Sequence, residues 1–267
     1  APRGIVAAAV SALFALKLEA LDYAQAEMLV PMVFLIIIAT VVLQSLTSAK
    51  VAEYLGIRAP APNGFLIFGG AQFSRMFAKE LMTHKVPICL ADTNWETIKL
   101  ARMDGIPTYF GNPMSEHAER NLDLTAIGKV LVMSPYRQLN PLVTYHFEHE
   151  MGKGSVLGLS NGESQQRPSH QISESYSKKL GLFANDVTYG RLAGYTSKGA
   201  SMKTTKLSDN FSYSDYQVEY KDRCLPLCAI DNDGKLRLFT TSNDIKPKSG
   251  WQIISLIIAA KELASPE

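Results

Sequence analysis

The sequence predicts an α-helical membrane segment, then an α/β domain on a doubly wound parallel sheet, then a small β-rich subdomain. Three observations predict this order. Met28 to Ala49 is a run of 22 residues without a charge. From residue 64 onward, short apolar runs of strand length alternate with stretches of helical periodicity. A glycine-containing turn follows the first such run, and an acid, Asp92, closes the second.

The run at 28–49, "MLVPMVFLIIIATVVLQSLTSA", is long enough as a helix to span roughly 30 Å of hydrocarbon. Glu27 and Lys50 flank it, and Pro31 falls in the first turn, where proline is tolerated. The competing reading is a core helix of a soluble protein, but core helices are rarely so long and so uniformly apolar. Gly4 to Leu21 is a second, weaker span, rich in small residues that suit helix packing in lipid, with Lys17 and Glu19 at its end. A secretory signal is disfavoured, because another span follows closely and no small-residue cleavage site precedes the polar part. The linker "EALDYAQAE" is acidic, whereas Lys50 and Arg58 follow the second span, which places residues from about 50 onward in the cytoplasm. The chain starts without Met inside a helix-like segment, so a piece of a longer protein is expected. "APAPNG" (59–64) links the membrane part to the rest.

Beyond the linker, "GFLIF" (64–68), "PICLA" (87–91), "PTYF" (107–110), "KVLVM" (129–133) and "SVLGL" (155–159) are five strand candidates. Helical stretches at 72–85, 94–105 and 137–151 lie between them, the pattern of a parallel, Rossmann-like sheet. The phosphate-binding fingerprint G-x-G-x-x-G falls on Gly69, Ala71 and Ser74. Gly69 permits the sharp turn, and Gly70 adds backbone freedom. Ala71 sets a methyl where backbone would approach a pyrophosphate, and Ser74 replaces the packing glycine with a hydroxyl donor. Gln72 and Phe73 carry the turn into a helix whose first N–H groups face an anion. Asp92 lies 23 residues after Gly69, beside Thr93, where an acid accepts ribose hydroxyls and disfavours a 2′-phosphate. The open alternative is a domain that binds nothing and serves as a rigid interaction module.

Three stretches together carry a family resemblance. "APRGIVAAAVSALFALKL" with "LVPMVFLIIIATVVLQSLTSAKVAEYLGI" resembles the last membrane helices of bacterial monovalent cation:proton antiporters of the sodium/proton exchanger type. "FLIFGGAQFSRMFAKELMTHKVPICLADTNWETIKLARMDGIPTYFGNP" resembles the N-terminal subdomain of an RCK (TrkA-N) regulatory module, which some of those antiporters carry at a cytoplasmic C-terminus. The resemblance covers 1–58 and 64–134 and is faint beyond 160. It divides the chain into 1–58 (two terminal membrane helices of an incomplete transport domain), 63–160 (RCK-like Rossmann domain) and 181–267 (small C-terminal subdomain). It implies that Arg3 pairs with acids in the helix bundle; the alternative is an arginine that snorkels at a terminus. It also implies that a ligand lies over Gly69, Ala71, Ser74 and Asp92, near Asn112 of "GNP" and near Met133 and Ser134 at the end of strand four. Ala71, Ser74 and Asn112 depart from the family pattern, which makes AMP or another adenine nucleotide a less demanding ligand than NAD(H). The expected whole is the C-terminal portion of a Na⁺ or K⁺:proton antiporter, multi-pass in a bacterial inner membrane and in contact with lipid. It is expected to be homodimeric and not an enzyme. The module would regulate transport, dimerise, or do both. The carboxylates that carry ion and proton in that family lie upstream of this chain.

The remaining signals are weaker. A net charge of +2 gives no reason to expect nucleic acid. Three cysteines (Cys89, Cys224, Cys228) without a framework fit a reducing compartment. "YHFEHE" sets His146 and His149 at i, i+3; a solvated helix face explains the pair better than a metal site, and no metal is expected. Residues 160–180 are a polar boundary. "PLCAID-NDGKLRLFT" predicts a hairpin, and "GWQIISLIIAA" (250–260) a final strand or short helix. Two rival functions stand beside the antiporter. A Trk- or potassium-channel-type regulatory subunit sits poorly with the apolar run, in the first case, and with the lack of a TVGYG filter, in the second. A membrane-anchored NAD-dependent oxidoreductase would need an intact glycine fingerprint and a crevice acid or base.

Overall fold

A computed structural model describes residues 4–21, 23, 26–56, 62–160, 181–243 and 245–258. Arg3, residues 59–61 of the linker and the polar boundary at 161–180 lie outside the described residues. The chain divides into two compact units, 1–60 and 61–267.

The first unit holds α1 (Ile5–Glu19), a single 3₁₀ turn (Ala26–Met28) and α2 (Leu29–Tyr54). Among the described residues of this unit the buried ones are small, Ser11, Ala15 and Ala26, as suits helices that approach closely. Ala26–Tyr54 is one helix long and apolar enough to cross a membrane, and only 6% of its most apolar window is buried. That exposure argues against the core-helix reading. Within α2, Thr40 and Thr47 donate to the carbonyls of Ile36 and Leu43 (2.8 and 2.6 Å), so neither hydroxyl is left unpaired on an apolar surface. α1, at 15 residues, extends only about 22 Å.

The second unit opens with a five-stranded parallel sheet in the order β3-β2-β1-β4-β5. Its strands are β1 (Gly64–Phe68), β2 (Ile88–Asp92), β3 (Thr108–Phe110), β4 (Ile127–Val132) and β5 (Val156–Gly158). The order reverses between β1 and β4, which makes the sheet doubly wound. α3 (Gln72–Thr83) and α4 (Trp95–Met103) cover one face, packing on Phe65 and Ile67. α5 (Glu116–Asn121) and α6 (Leu139–Met151) cover the other, packing on Leu66 and Phe68. A strand covered on both sides must be apolar throughout, which is why β1 reads as one continuous hydrophobic run. Asn94 caps α4 by accepting from Glu96 N–H (2.9 Å), and Ser115 caps α5 by accepting from Ala118 N–H (3.2 Å). α3 has no side-chain cap.

The chain then forms a four-stranded antiparallel sheet, β6-β9-β7-β8, from β6 (Ser201–Lys206), β7 (Cys224–Ile230), β8 (Leu236–Leu238) and β9 (Gln252–Ile257). The hairpin read at 231–234 joins β7 to β8; the Asp231 carboxylate accepts from Asp233 and Lys235 N–H (3.1 and 2.8 Å) and fixes the turn. Of the two readings for 250–260, the strand is the one formed. A register shift between Pro226 and Cys228 separates the two cysteines of β7. Cys228 enters the larger core, while Cys224 meets the Tyr216 hydroxyl at 3.2 Å. Two further helices belong here, α7 (Tyr189–Ser197) and α8 (Tyr213–Tyr220).

The two sheets share one core. Phe183, just ahead of α7, meets Phe73 and Phe77 of α3 edge-on (5.9 and 5.6 Å between centroids), and Thr204 of β6 donates to Glu80 of α3 (2.6 Å). Phe77 is fully buried. Phe77→Ala is therefore expected to cost about 3–5 kcal/mol, with one cooperative transition weakened rather than two separate ones, measured by urea unfolding of the full chain in detergent.

Candidate functional site

The turn between β1 and α3 is shaped by two glycines with different physical needs. Gly69 has φ +114°, and a Cβ there would fall 2.6 Å from Ser134 Cα and 2.7 Å from the Met133 carbonyl oxygen. It is a glycine because the end of β4 touches it, not only because of the turn. At Gly70 a Cβ would meet Thr97 Oγ1 at 2.9 Å and Asp92 Oδ2 at 3.2 Å.

Asp92 is only 2% exposed. Its Oδ2 accepts from Gly70 N–H at 2.5 Å; its Oδ1 accepts from Asn94 N–H at 2.8 Å and from the Tyr136 hydroxyl at 2.9 Å. The acid expected to face a ribose thus anchors the turn, starts α4, and receives a tyrosine from across the sheet. Burial raises the Tyr136 phenol above its ordinary range; the bond to Asp92 adds to that, and a hydrogen bond from Thr93 offsets part of it. Burial, and then the charge of Asp92, also raise Tyr189 at the start of α7.

In front of the turn lies a cavity of about 260 Å³. The start of α3 (Ala71 to Arg75), Thr97 of α4, Met133 and Leu159 beyond β4 and β5, and one face of α7 (Tyr189, Leu192, Ala193, Thr196) line it. The first N–H groups of a helix lack intrahelical partners, and α3 has no capping side chain to satisfy them. Ser74 is 1% exposed and its Oγ has no hydrogen-bond partner. Thr97 and Thr196 spend their hydroxyls on the carbonyls of Asn94 and Leu192. Arg75 donates to the Gly70 carbonyl (3.0 Å), and its Nε lies 3.4 Å from Asp104 Oδ2, so it brings one cation, already paired, to the rim. A short anion-bearing ligand is what uncapped amides, a buried hydroxyl and a nearby guanidinium suit.

Of the residues singled out in the sequence, Ala71, Gln72, Phe73, Ser74 and Met133 line this cavity. Phe73 also stacks on Phe77 and belongs to the core. Gly69 and Gly70 shape the turn, and Asp92 and Thr93 sit behind it with Tyr136. Ser134 is drawn into a local cluster: its hydroxyl donates to Asn140 Oδ1, and its carbonyl accepts from Asn140 Nδ2 (3.1 Å). Asn112 makes a turn of its own, accepting from Met114 N–H at 3.0 Å on the way into α5. Arg3 lies outside the described residues. Thr97, Tyr136, Tyr189 and the α7 face went unread in the sequence. The one available signal for α7 was Thr188, whose side chain caps it by accepting from Arg191 N–H (3.2 Å). On α6, His146 lies 3.6 Å from Glu150; among the described residues no three His, Cys, Asp or Glu side chains gather as a metal site would require.

No protein-family model matches the chain, and no curated protein matches it. Among solved structures, it is similar to the GsuK channel bound to NAD (14% identity, TM-score 0.36, covering 77% of this chain and 38% of that one). It is also similar to the GsuK RCK domain (13%, TM-score 0.35, 77% and 46%). A third similarity is to the NAD(P)-binding domain of an exopolyphosphatase-related protein from Archaeoglobus fulgidus (16%, TM-score 0.33, 44% and 84%). The chain spans less than half the length of the two GsuK chains it matches.

The contact at Gly69 gives a direct test. Gly69→Ala combines an unfavourable φ with a backbone clash and is expected to cost about 2–4 kcal/mol in chemical unfolding.

Proposed function

We propose that residues 61–267 form a nucleotide-responsive regulatory module of the RCK kind, and that its ligand is an adenine mononucleotide such as AMP. One observation carries the reading: Ser74 Oγ, buried and unpartnered, lies beside the uncapped start of α3 in a cavity between the turn and α7. A phosphate there would accept from the α3 amides and from Ser74. The cavity, about 260 Å³, sits at the lower edge of the roughly 300–1,000 Å³ of small-molecule sites, which suits one nucleotide better than two. NAD(H) is the second reading, favoured by the acid that ends β2; a dinucleotide would need α7 to draw back. Asp92 disfavours the 2′-phosphate of NADP.

The wider setting rests on the sequence resemblance and on the one helix able to cross a membrane. In it, the chain is the C-terminal portion of a monovalent cation:proton antiporter, dimeric, with no catalytic role, and with its module on the cytoplasmic side. The cavity draws walls from both subdomains of the module, so a ligand would favour the arrangement that closes it. That preference would bias the membrane helices through the short linker.

Calorimetry of the full chain in detergent with AMP, ADP, ATP, NAD and NADH tests this. Heat with AMP is expected. No heat with any of them would leave a purely structural module. Ser74→Ala gives a sharper signature: AMP affinity falls about tenfold or more, while the melting temperature of the ligand-free protein holds or rises, because a buried unpaired hydroxyl has been removed. A merely structural Ser74 would not move the two in opposite directions.

A further inference from the structure

We infer that this cavity takes the phosphate of its nucleotide in the singly charged form, so that AMP picks up a proton from solvent as it binds and the module responds more strongly as pH falls. The inference rests on the nucleotide reading above. Two inventories of the cavity wall carry it, one of charge and one of hydrogen-bonding atoms.

Of the described residues that line the cavity, Arg75 alone carries a formal charge. It is already engaged: one guanidinium nitrogen donates to the Gly70 carbonyl (3.0 Å), and Nε lies 3.4 Å from the Asp104 carboxylate, which Lys79 also reaches at 3.1 Å. The start of α3 adds the equivalent of about half a positive charge. Asp92 stays behind the turn and out of reach of a ligand, yet its charge is felt at Tyr189, a wall residue. Such a wall balances one negative charge; a second would be buried without a partner.

The hydroxyls point the same way. A carbonyl oxygen only accepts, so Thr97 and Thr196, bonded to the carbonyls of Asn94 (2.8 Å) and Leu192 (3.0 Å), have committed their protons. They have lone pairs left to offer, and Thr97 Oγ1 is the atom nearest the space above Gly70. Among the serines and threonines of the wall, Ser74 alone has a proton to give. A fully ionised phosphate only accepts, and would set its lone pairs against those of the threonines. A singly charged phosphate keeps one O–H, which donates to such an oxygen while its other oxygens accept from the α3 amides and from Ser74.

No histidine is among the described wall residues. His84 caps the far end of α3 beside Glu80 (3.9 Å), Glu96, Lys99 and Arg102 of α4 lie outside the wall, and Arg191 of α7 is paired with Asp186. Burial, and then Asp92, raise Tyr189, which stays neutral at neutral pH. Between pH 6 and 8 the group that titrates in the cavity is the phosphate, whose second pKa is about 6.

The test is calorimetry of the full chain in detergent at about pH 6, 7 and 8, with AMP and with its methyl phosphate ester, which carries one charge throughout that range. AMP should bind about tenfold more weakly for each pH unit above 6, and its heat at the highest pH should differ between buffers of unlike ionisation enthalpy by about one proton taken up. The ester should bind equally at all three. Gln72→Lys, which sets a second cation on the exposed first residue of α3, should tighten AMP about tenfold at the highest pH and flatten its profile. An AMP profile that is level or rises with pH overturns the inference and leaves the nucleotide reading standing. So does a fall that the ester shares, because the proton then belongs to the protein, and so does a steep profile that Gln72→Lys leaves unchanged. If neither ligand binds at any pH, the inference and the nucleotide reading fall together.

Discussion

The bond from Gly70 N–H to the Asp92 carboxylate organises the rest of the second unit. A carboxylate 2% exposed is costly unless its charge is met by donors, and here three donors from three different segments meet it. Each pays back in placement. Gly70 fixes the turn, and with it the direction in which α3 presents its uncapped amides. Asn94 fixes the start of α4, whose Thr97 closes one side of the cavity. Tyr136 ties the segment after β4 to the end of β2. The crevice at the reversal of strand order is held open from behind, by a charge that solvent does not reach.

What could be read from the sequence follows from what burial demands. β1 is covered on both faces and has no choice but to be apolar; its helices show a one-sided stripe because one side of each faces the sheet. Those elements were visible, with ends that coincide or shift by one or two residues. β6, "SMKTTK", is an edge strand with one flank free, so its polar residues carry no strand signal, and α5, "EHAERN", is one and a half turns of polar residues. α7 and α8 contain Gly, Thr, Tyr and Ser, which favour caps and turns over helix interiors; packing decided them, and packing is not local.

The site was half legible for a similar reason. Spacing alone located the turn and put an acid at the end of β2. It did not say which way the acid faces. Asp92 points back into the protein because Asn94 and Gly70 offer it amides, and those amides exist only once the turn and α4 have formed. Ser74 was readable as a hydroxyl at a fingerprint position; its lack of a partner was not, since that depends on Thr196 and Thr97 spending their own hydroxyls on helix carbonyls. The far wall, α7, arrives more than 110 residues after the turn it faces, so no motif window could join them.

α2 obeys the opposite rule. Leu35, Leu43 and Leu46 are each more than 60% exposed, in a helix of 26 residues with no buried residue. Soluble monomers rarely expose contiguous apolar patches beyond a few hundred Å², and a helix about 39 Å long that is apolar all round exceeds this. Such a surface needs an apolar surround, whether lipid or further helices. α1 supplies only part of it, through small residues that allow a close approach but cover little. The backbone of α2 is satisfied within the helix, and its threonines return their hydroxyls to it, which is what a surround without water requires. The composition that makes this segment poor as a soluble helix is the one that suits it to hydrocarbon.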